Sequence, residues 1–169
     1  LGHVFVDGQA GANHLVIDDH GDPSWDAIAQ QYGADGYVQL IGMAPGDIFY
    51  RAIGGSFAQG LEIITSSGSD SVTLKALYGG DHTKLHTGIG SDDVMVESFV
   101  VDPAARLTIY AETGDDFVNA WASPVWVTVF GAEGNDTIYG SEQDDVLWGD
   151  VAGGLMVGND LIIGNLGAD

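Results

Sequence analysis

Along this chain, short runs of aliphatic, β-branched and aromatic residues alternate with polar stretches rich in glycine and aspartate. Leu61-Glu62-Ile63-Ile64, Arg106-Leu107-Thr108-Ile109-Tyr110 and Val125-Trp126-Val127-Thr128-Val129-Phe130 have the period of two expected of strands with one buried face. Val38-Gln39-Leu40 and Ile48-Phe49-Tyr50 continue the set. The intervening segments end repeatedly in aspartate: Ser67-Gly68-Ser69-Asp70, Ile89-Gly90-Ser91-Asp92 and Thr113-Gly114-Asp115-Asp116. Each leads within two residues into Val72, Val94, or Phe117 with Val118. Asp70, Asp92, Asp116 and Asp136 are spaced by 22, 24 and 20 residues, the length of one coil in a parallel β-helix.

Near the C-terminus the period tightens to nine. Residues 131–139 read Gly-Ala-Glu-Gly-Asn-Asp-Thr-Ile-Tyr and 140–148 read Gly-Ser-Glu-Gln-Asp-Asp-Val-Leu-Trp. Six extra residues, Gly149–Gly154, then precede a third copy at 155–163, and Gly164–Asp169 open a fourth. Asp136, Asp145, Asp160 and Asp169 share the sixth position. Six polar, glycine-rich positions make a turn that can aim carbonyls and a carboxylate at a hard cation, and three more make a short strand with one apolar residue inward. The pattern predicts an all-β, parallel solenoid over residues 1–169. Coils of about 22 residues at 61–130 pass into a roll at 131–169, after irregular coils at 1–60. In that first part, Asn13 is expected to hold the place that aspartate takes elsewhere. The only helix is expected near residues 23–32, with Asp22 as N-cap, Pro23 first, and Trp25, Ile28 and Tyr32 on one face.

Composition sharpens this picture. The formal charge is −21, from 25 acidic residues against four basic ones, yet 45% of the chain is hydrophobic, enough for a core. Only Glu62, Glu97, Glu112, Glu133 and Glu142 of the acids are Glu, and Asp suits turns and short-reach cation sites. Such a balance argues against nucleic acid and anionic membrane as partners. No cysteine is present to form a disulfide, and no apolar run approaches the length of a membrane span. The absence of an initiator Met and of a signal peptide, with the fourth copy breaking off at Asp169, reads as a piece of a longer chain.

The nonapeptides at 131–169 resemble the G-G-x-G-x-D-x-U-x repeat of RTX (hemolysin-type) proteins, a calcium-binding parallel β-roll. The resemblance implies a right-handed solenoid. It also implies calcium ligands at Asp136, Asp145, Asp160 and Asp169, with carbonyls at Gly131, Gly134, Gly140 and Gly158. Gln143 departs from the pattern at a fourth-position glycine, and the insertion breaks the register, where Asp150 offers a substitute ligand. The run N-x-L-x-I-D-D-x-G-D at Asn13–Asp22, followed by Gly42-Met43, Tyr50 and the Gly68-Ser69-Asp70-Ser71-Val72 turn, resembles, over residues 11–120, a coil module that precedes RTX repeats in very large secreted bacterial proteins.

A physical argument points to a cation independently. Aspartates stacked one coil apart, ~4.8 Å, repel by roughly 1 kcal/mol in water and about 3–4 kcal/mol at an effective dielectric of 20. Calcium accepts 6–8 oxygens in flexible geometry, whereas magnesium demands a stricter octahedron. Asp70, Asp92 and Asp116, with Asp93 and Asp115 beside them, are further candidates, equally readable as turn formers. Asp18, Asp19 and Asp22 form a local acidic cluster, and Asp26 and Asp102 fall outside the repeat register.

Other chemistry is thinly supported. His3, His14, His20, His82 and His86 make no zinc set, and the tryptophans Trp25, Trp121, Trp126 and Trp148 are expected mostly in the core or on strand faces. Asp22-Pro23 and Asp102-Pro103 lack the acidic flanks of calcium-triggered self-processing modules. The expected function is therefore a calcium-stabilised structural module of a large exported protein, such as an adhesin, surface-layer component or toxin. The alternatives are a β-helix lyase or epimerase and a carbohydrate-binding solenoid. The four basic residues, Arg51, Lys75, Lys84 and Arg106, are scattered, which disfavours a lyase.

Overall fold

The computed structural model describes residues 2–43, 46–150 and 158–169. The chain starts with strands β1 (Val4–Asp7), β2 (Gly11–Ala12), β3 (Leu15–Asp18) and β4 (Ala27–Tyr32). A single 3-10 turn, Ala34–Gly36, leads to β5 (Val38–Ile41), β6 (Ile48–Arg51) and β7 (Gly55–Ser56). From β8 (Leu61–Ile64) the course becomes regular: β9 (Ser71–Leu74), β10 (His82–His86), β11 (Asp93–Val96), β12 (Arg106–Tyr110) and β13 (Phe117–Asn119). It ends with β14 (Val127–Phe130), β15 (Thr137–Tyr139), β16 (Val146–Trp148) and β17 (Leu161–Ile163).

These strands build two main sheets. One runs β3-β8-β10-β12-β14-β16, and the other ends β4-β9-β11-β13-β15-β17; all of these neighbours are parallel. From β8 to β17 successive strands alternate between the two sheets, so each coil lays one strand on either side of a shared core. The pairing offsets along this sheet are 22, 24, 20 and 18 residues: Leu61 pairs with Thr83, Thr83 with Leu107, Leu107 with Val127, and Thr128 with Val146. Alternation sets the inward faces. Ile63, Leu85, Ile109 and Val129 form one buried column, while Val72, Val94, Val118 and Ile138 form the opposing one. Burying each such side chain contributes about 1.5–3 kcal/mol. The all-β, parallel architecture expected from the repeats is thus present.

The helix expected at 23–32 is absent. Residues 27–32 are β4, paired in parallel with β9 and antiparallel with β5. The helical spacing of Trp25, Ile28 and Tyr32 competes with a period of two through Ile28 and Gln30, and it is Ile28 and Gln30 that are buried. The Gln30 amide donates to the Ala76 carbonyl (2.5 Å), a tertiary partner that lets a polar side chain face inward. Asp22 makes an Asx turn, its Oδ1 accepting from the Ser24 N–H (2.8 Å). After β4 the chain folds back as β5 and β6, both antiparallel to their predecessors, before β8 resumes the solenoid. The tryptophans also depart from expectation: all four are exposed, and only Trp148 lies in a strand.

Candidate metal centre

The turns that cross from the β8-containing sheet to the β9-containing sheet stack into a ladder of aspartates. The backbone N–H of Asp26 donates to Asp70 Oδ1 (2.9 Å), that of Asp70 to Asp92 (2.7 Å), and that of Asp92 to Asp116 (2.8 Å). The N–H groups of Asp116 and Asp136 continue to Asp136 and Asp160, both at 3.0 Å. A second, shorter ladder lies in the opposite turns, where Val127 donates to Asp145 Oδ1 (2.8 Å) and Asp145 to Asp169 (2.9 Å). Asp136 and Asp160 therefore belong to one column, and Asp145 and Asp169 to the other. Consecutive nonapeptides alternate sides because nine residues make half a coil.

Asp26 heads the longer ladder, contrary to the expectation that it lies out of register. It sits 44 residues before Asp70, the length of two ordinary coils, because the β5–β6 excursion occupies the span of the second. Asn13 is not a ladder member; its side chain instead donates to the Gly11 and Ser56 carbonyls. A polar column beside the ladder also escaped the sequence reading. Ser69 Oγ accepts from Ser91, Ser91 Oγ from Asp115, Asp115 from Asn135, and Asn135 from Asn159, again by backbone N–H donors. The shared small polar type at each position before the ladder aspartate is the signal that would have found it.

Glycine is required where turns touch. At Gly90, Gly114, Gly134 and Gly158 an added Cβ would overlap the carbonyl oxygen of Gly68, Gly90, Gly114 and Gly134 in turn. Gly167 meets the Gln143 carbonyl in the same way. Gln143 holds this position in the first nonapeptide of its column, without the positive φ of Gly134 and Gly167. A second set of glycines makes room for carboxylates: Asp136 Oδ2 fills the Cβ space of Gly131, Asp145 Oδ2 that of Gly140, and Asp169 Oδ2 that of Gly164. Asp160 Oδ2 does the same at Gly149, so Gly149 is the first residue of the third turn. The insertion therefore falls inside that turn, between Asp150 and Gly158, rather than ahead of it; residues 151–157 lie outside the described residues. Asp150 Oδ1 accepts from the Gly158 N–H (3.1 Å) at its base.

Burial dominates the electrostatics of the longer ladder. It pushes the Asp116 carboxyl up to about 7, with the charges of Asp92, Asp136 and Asp115 adding to the rise and the Asp92 N–H opposing it. Asp136 is raised to about 6, again chiefly by burial, with Asp160, Asp115 and Asp150 contributing. Burial also raises Asp92, whose neighbouring Thr87 hydroxyl opposes the rise but donates to the Ala111 carbonyl (2.8 Å). Asp145 is raised by burial too, opposed by N–H donation from Val127 and hydrogen bonds from Ser141. Oδ2 of Asp92, Asp116 and Asp136 is buried without a partner, an arrangement that costs several kcal/mol for an ionised group unless a cation compensates. At the ladder head, carboxylate oxygens of Asp19, Asp22 and Asp26 lie within 4.8 Å of one another.

A family model described as the RTX calcium-binding nonapeptide repeat matches four copies, over residues 128–151 and 157–169. These residues are RTX repeats. The break in the match falls in the insertion after Asp150. Neither the curated proteins nor the solved structures compared with the chain give a match. RTX nonapeptide repeats bind Ca2+. The RTX turns here fit that ion: they combine buried carboxylate oxygens, glycines that leave space beside them, and oxygen donors only, the ligand type calcium selects. Bound calcium would supply the positive charge that the stacked carboxylates lack.

Proposed function

We propose that this chain is a calcium-dependent structural module, a right-handed β-solenoid within a larger exported protein, that folds when it meets extracellular calcium. The carrying observation is the ladder of buried aspartates whose second oxygens have no partner. Parallel β crossovers adopt the right hand in about 98% of cases, which supports the handedness. Where calcium is scarce, a charge of −21 favours an expanded chain suited to export. At millimolar calcium the ions neutralise the ladder, and the two apolar columns can close on each other. Adhesion or display at a cell surface is the role that such a rigid, acidic rod suits best.

The surroundings of the basic residues favour this over a polysaccharide-cleaving enzyme. Lys84 binds Glu62 (2.9 Å), Lys75 binds Glu97 (3.1 Å) and Arg51 binds Asp7 (3.0 Å), while Arg106 lies over the Trp126 ring. The Glu62 hydrogen bond raises the Lys84 pKa, the wrong direction for a proton-abstracting base. In the outer aromatic row His86, Tyr110, Phe130 and Trp148 stack face to face, so the ring faces of Tyr110 and Phe130 are taken up by their neighbours rather than turned to a sugar. The deciding experiment is circular dichroism and thermal melting in excess chelator and in millimolar calcium. Calcium at a hundredfold above Kd stabilises by about 2.7 kcal/mol per site, so a large rise in melting temperature is expected. Identical spectra and melting in both conditions would refute the reading.

A further inference from the structure

The ladder turns are of two kinds, and the residue four places before each aspartate separates them. In the turns ending at Asp70 and Asp145 that residue is serine. The Ser66 N–H donates to Asp70 Oδ2 (3.1 Å), and its hydroxyl lies 3.0 and 2.8 Å from Oδ1 and Oδ2. Ser141 repeats this on Asp145, with the N–H at 2.5 Å and the hydroxyl at 2.8 and 3.0 Å. Both oxygens of each carboxylate are therefore satisfied within the turn.

In the turns ending at Asp92, Asp116 and Asp136 the corresponding residues are Gly88, Glu112 and Ala132, all left-handed, with φ of 89°, 74° and 79°. None of them supplies a hydroxyl, and the Ala132 N–H donates to the Gly149 carbonyl (2.6 Å) instead of to Asp136. These three aspartates are 2%, 3% and 1% exposed, and each keeps a buried Oδ2 without a partner. The three turns also stack as one unit, through the parallel bridges Ile89–Thr113 and Thr113–Glu133 and the Gly90 and Gly114 N–H bonds to the Thr113 and Glu133 carbonyls. Only the last of the three lies within the matched RTX residues. The build of its site is nevertheless continued, turn for turn, through two longer coils.

We propose that calcium occupancy in this chain is set turn by turn: the left-handed turns ending in Asp92, Asp116 and Asp136 hold ions, and the serine-capped turns ending in Asp70 and Asp145 fold without one. The hydroxyl and N–H of a serine cap do for the carboxylate what a cation does in the open turns. Filling a serine-capped turn would require breaking those hydrogen bonds to free a ligand oxygen. The inference rests on the proposed calcium dependence of the module and extends it beyond the nonapeptides, while narrowing the set of aspartates that serve it.

Native mass spectrometry of the whole chain in calcium counts the bound ions directly. Asp92→Asn and Asp116→Asn should each lose at least one ion relative to the unsubstituted chain, whereas Asp70→Asn and Asp145→Asn should lose none. Glu112→Ser keeps the Asp116 carboxylate and supplies the capping serine, whose β-carbon favours leaving the left-handed conformation for the cap seen at Ser66 and Ser141, so it should lose one ion with its circular dichroism spectrum retained. This variant keeps the test decisive if Asp116→Asn fails to fold. Equal losses at Asp145 and Asp116, or a full ion count in Glu112→Ser, would overturn the turn rule while leaving the calcium-dependent module standing. An unsubstituted chain that binds no calcium would overturn both.

Discussion

At the level of single residues, stacking decides which amino acids are allowed. Gly114 has φ of 141° and lies so close to the Gly90 carbonyl that a Cβ there would overlap it. Conformational strain at such a position costs about 1–3 kcal/mol before the overlap is counted, and two turns would have to separate to relieve it. Gly114→Ala is therefore expected to lower the melting temperature sharply in calcium, and Gln143→Ala hardly at all, since Gln143 already carries a Cβ and has no positive φ. Similar melting curves for the two variants would show that the turns are not in contact. The glycine at the fourth position was legible from the repeat alone. Its necessity was not, because the repeat cannot say whether a turn has a neighbour below it. Asp26 shows the same limit: nothing in Trp25-Asp26-Ala27 announces a ladder position until β4 is seen to pair with β9.

For the strands, a period of two was enough to locate β8 and β12 and to choose their buried faces. It failed at β4 because Gln30 interrupts the apolar alternation, and only a distant carbonyl, that of Ala76, makes the buried amide tolerable. The fold-back through β5 and β6 was likewise illegible, since antiparallel and parallel partners demand the same alternation. One strand carries a defect that can be tested. Thr83 of β10 is fully buried between Leu61 and Leu107 in the stack, and its Oγ1 has no hydrogen-bond partner. Thr83→Val keeps the shape and β-branching while removing an unsatisfied hydroxyl, so it should stabilise the protein by about 1 kcal/mol. Chemical denaturation in calcium would measure the gain, and a loss of stability would mean that the hydroxyl finds a partner after all.

Across the whole molecule, protons and calcium compete for the same buried charge. Burial lifts the Asp116 carboxyl to about 7 and the Asp136 carboxyl to about 6, above the ordinary value of 3.8 that each regains on unfolding. Between about pH 4 and pH 7 the metal-free folded chain therefore binds more protons than the unfolded one. Stability from these groups is fully present below their unfolded pKa and is lost as the pH rises through 6 and 7. The carboxylates whose pKa is lowered by hydrogen bonds, such as Asp7, Asp22 and Asp115, act in the opposite sense, but only below about pH 4. In chelator, then, the melting temperature should fall from pH 5 to pH 8. In saturating calcium this fall should largely disappear, because the bound ion keeps the same carboxylates ionised at both pH values, whereas an ion entering at pH 5 must first displace the protons that hold the ladder neutral. The stabilisation calcium brings should accordingly be small at pH 5 and large at pH 8, with half-saturation moving to lower calcium as the pH rises. Thermal melts at the two pH values, each with chelator and with calcium, give four numbers that test this. A metal-free chain that is more stable at pH 8 than at pH 5 would show that its aspartates are ionised and satisfied without an ion.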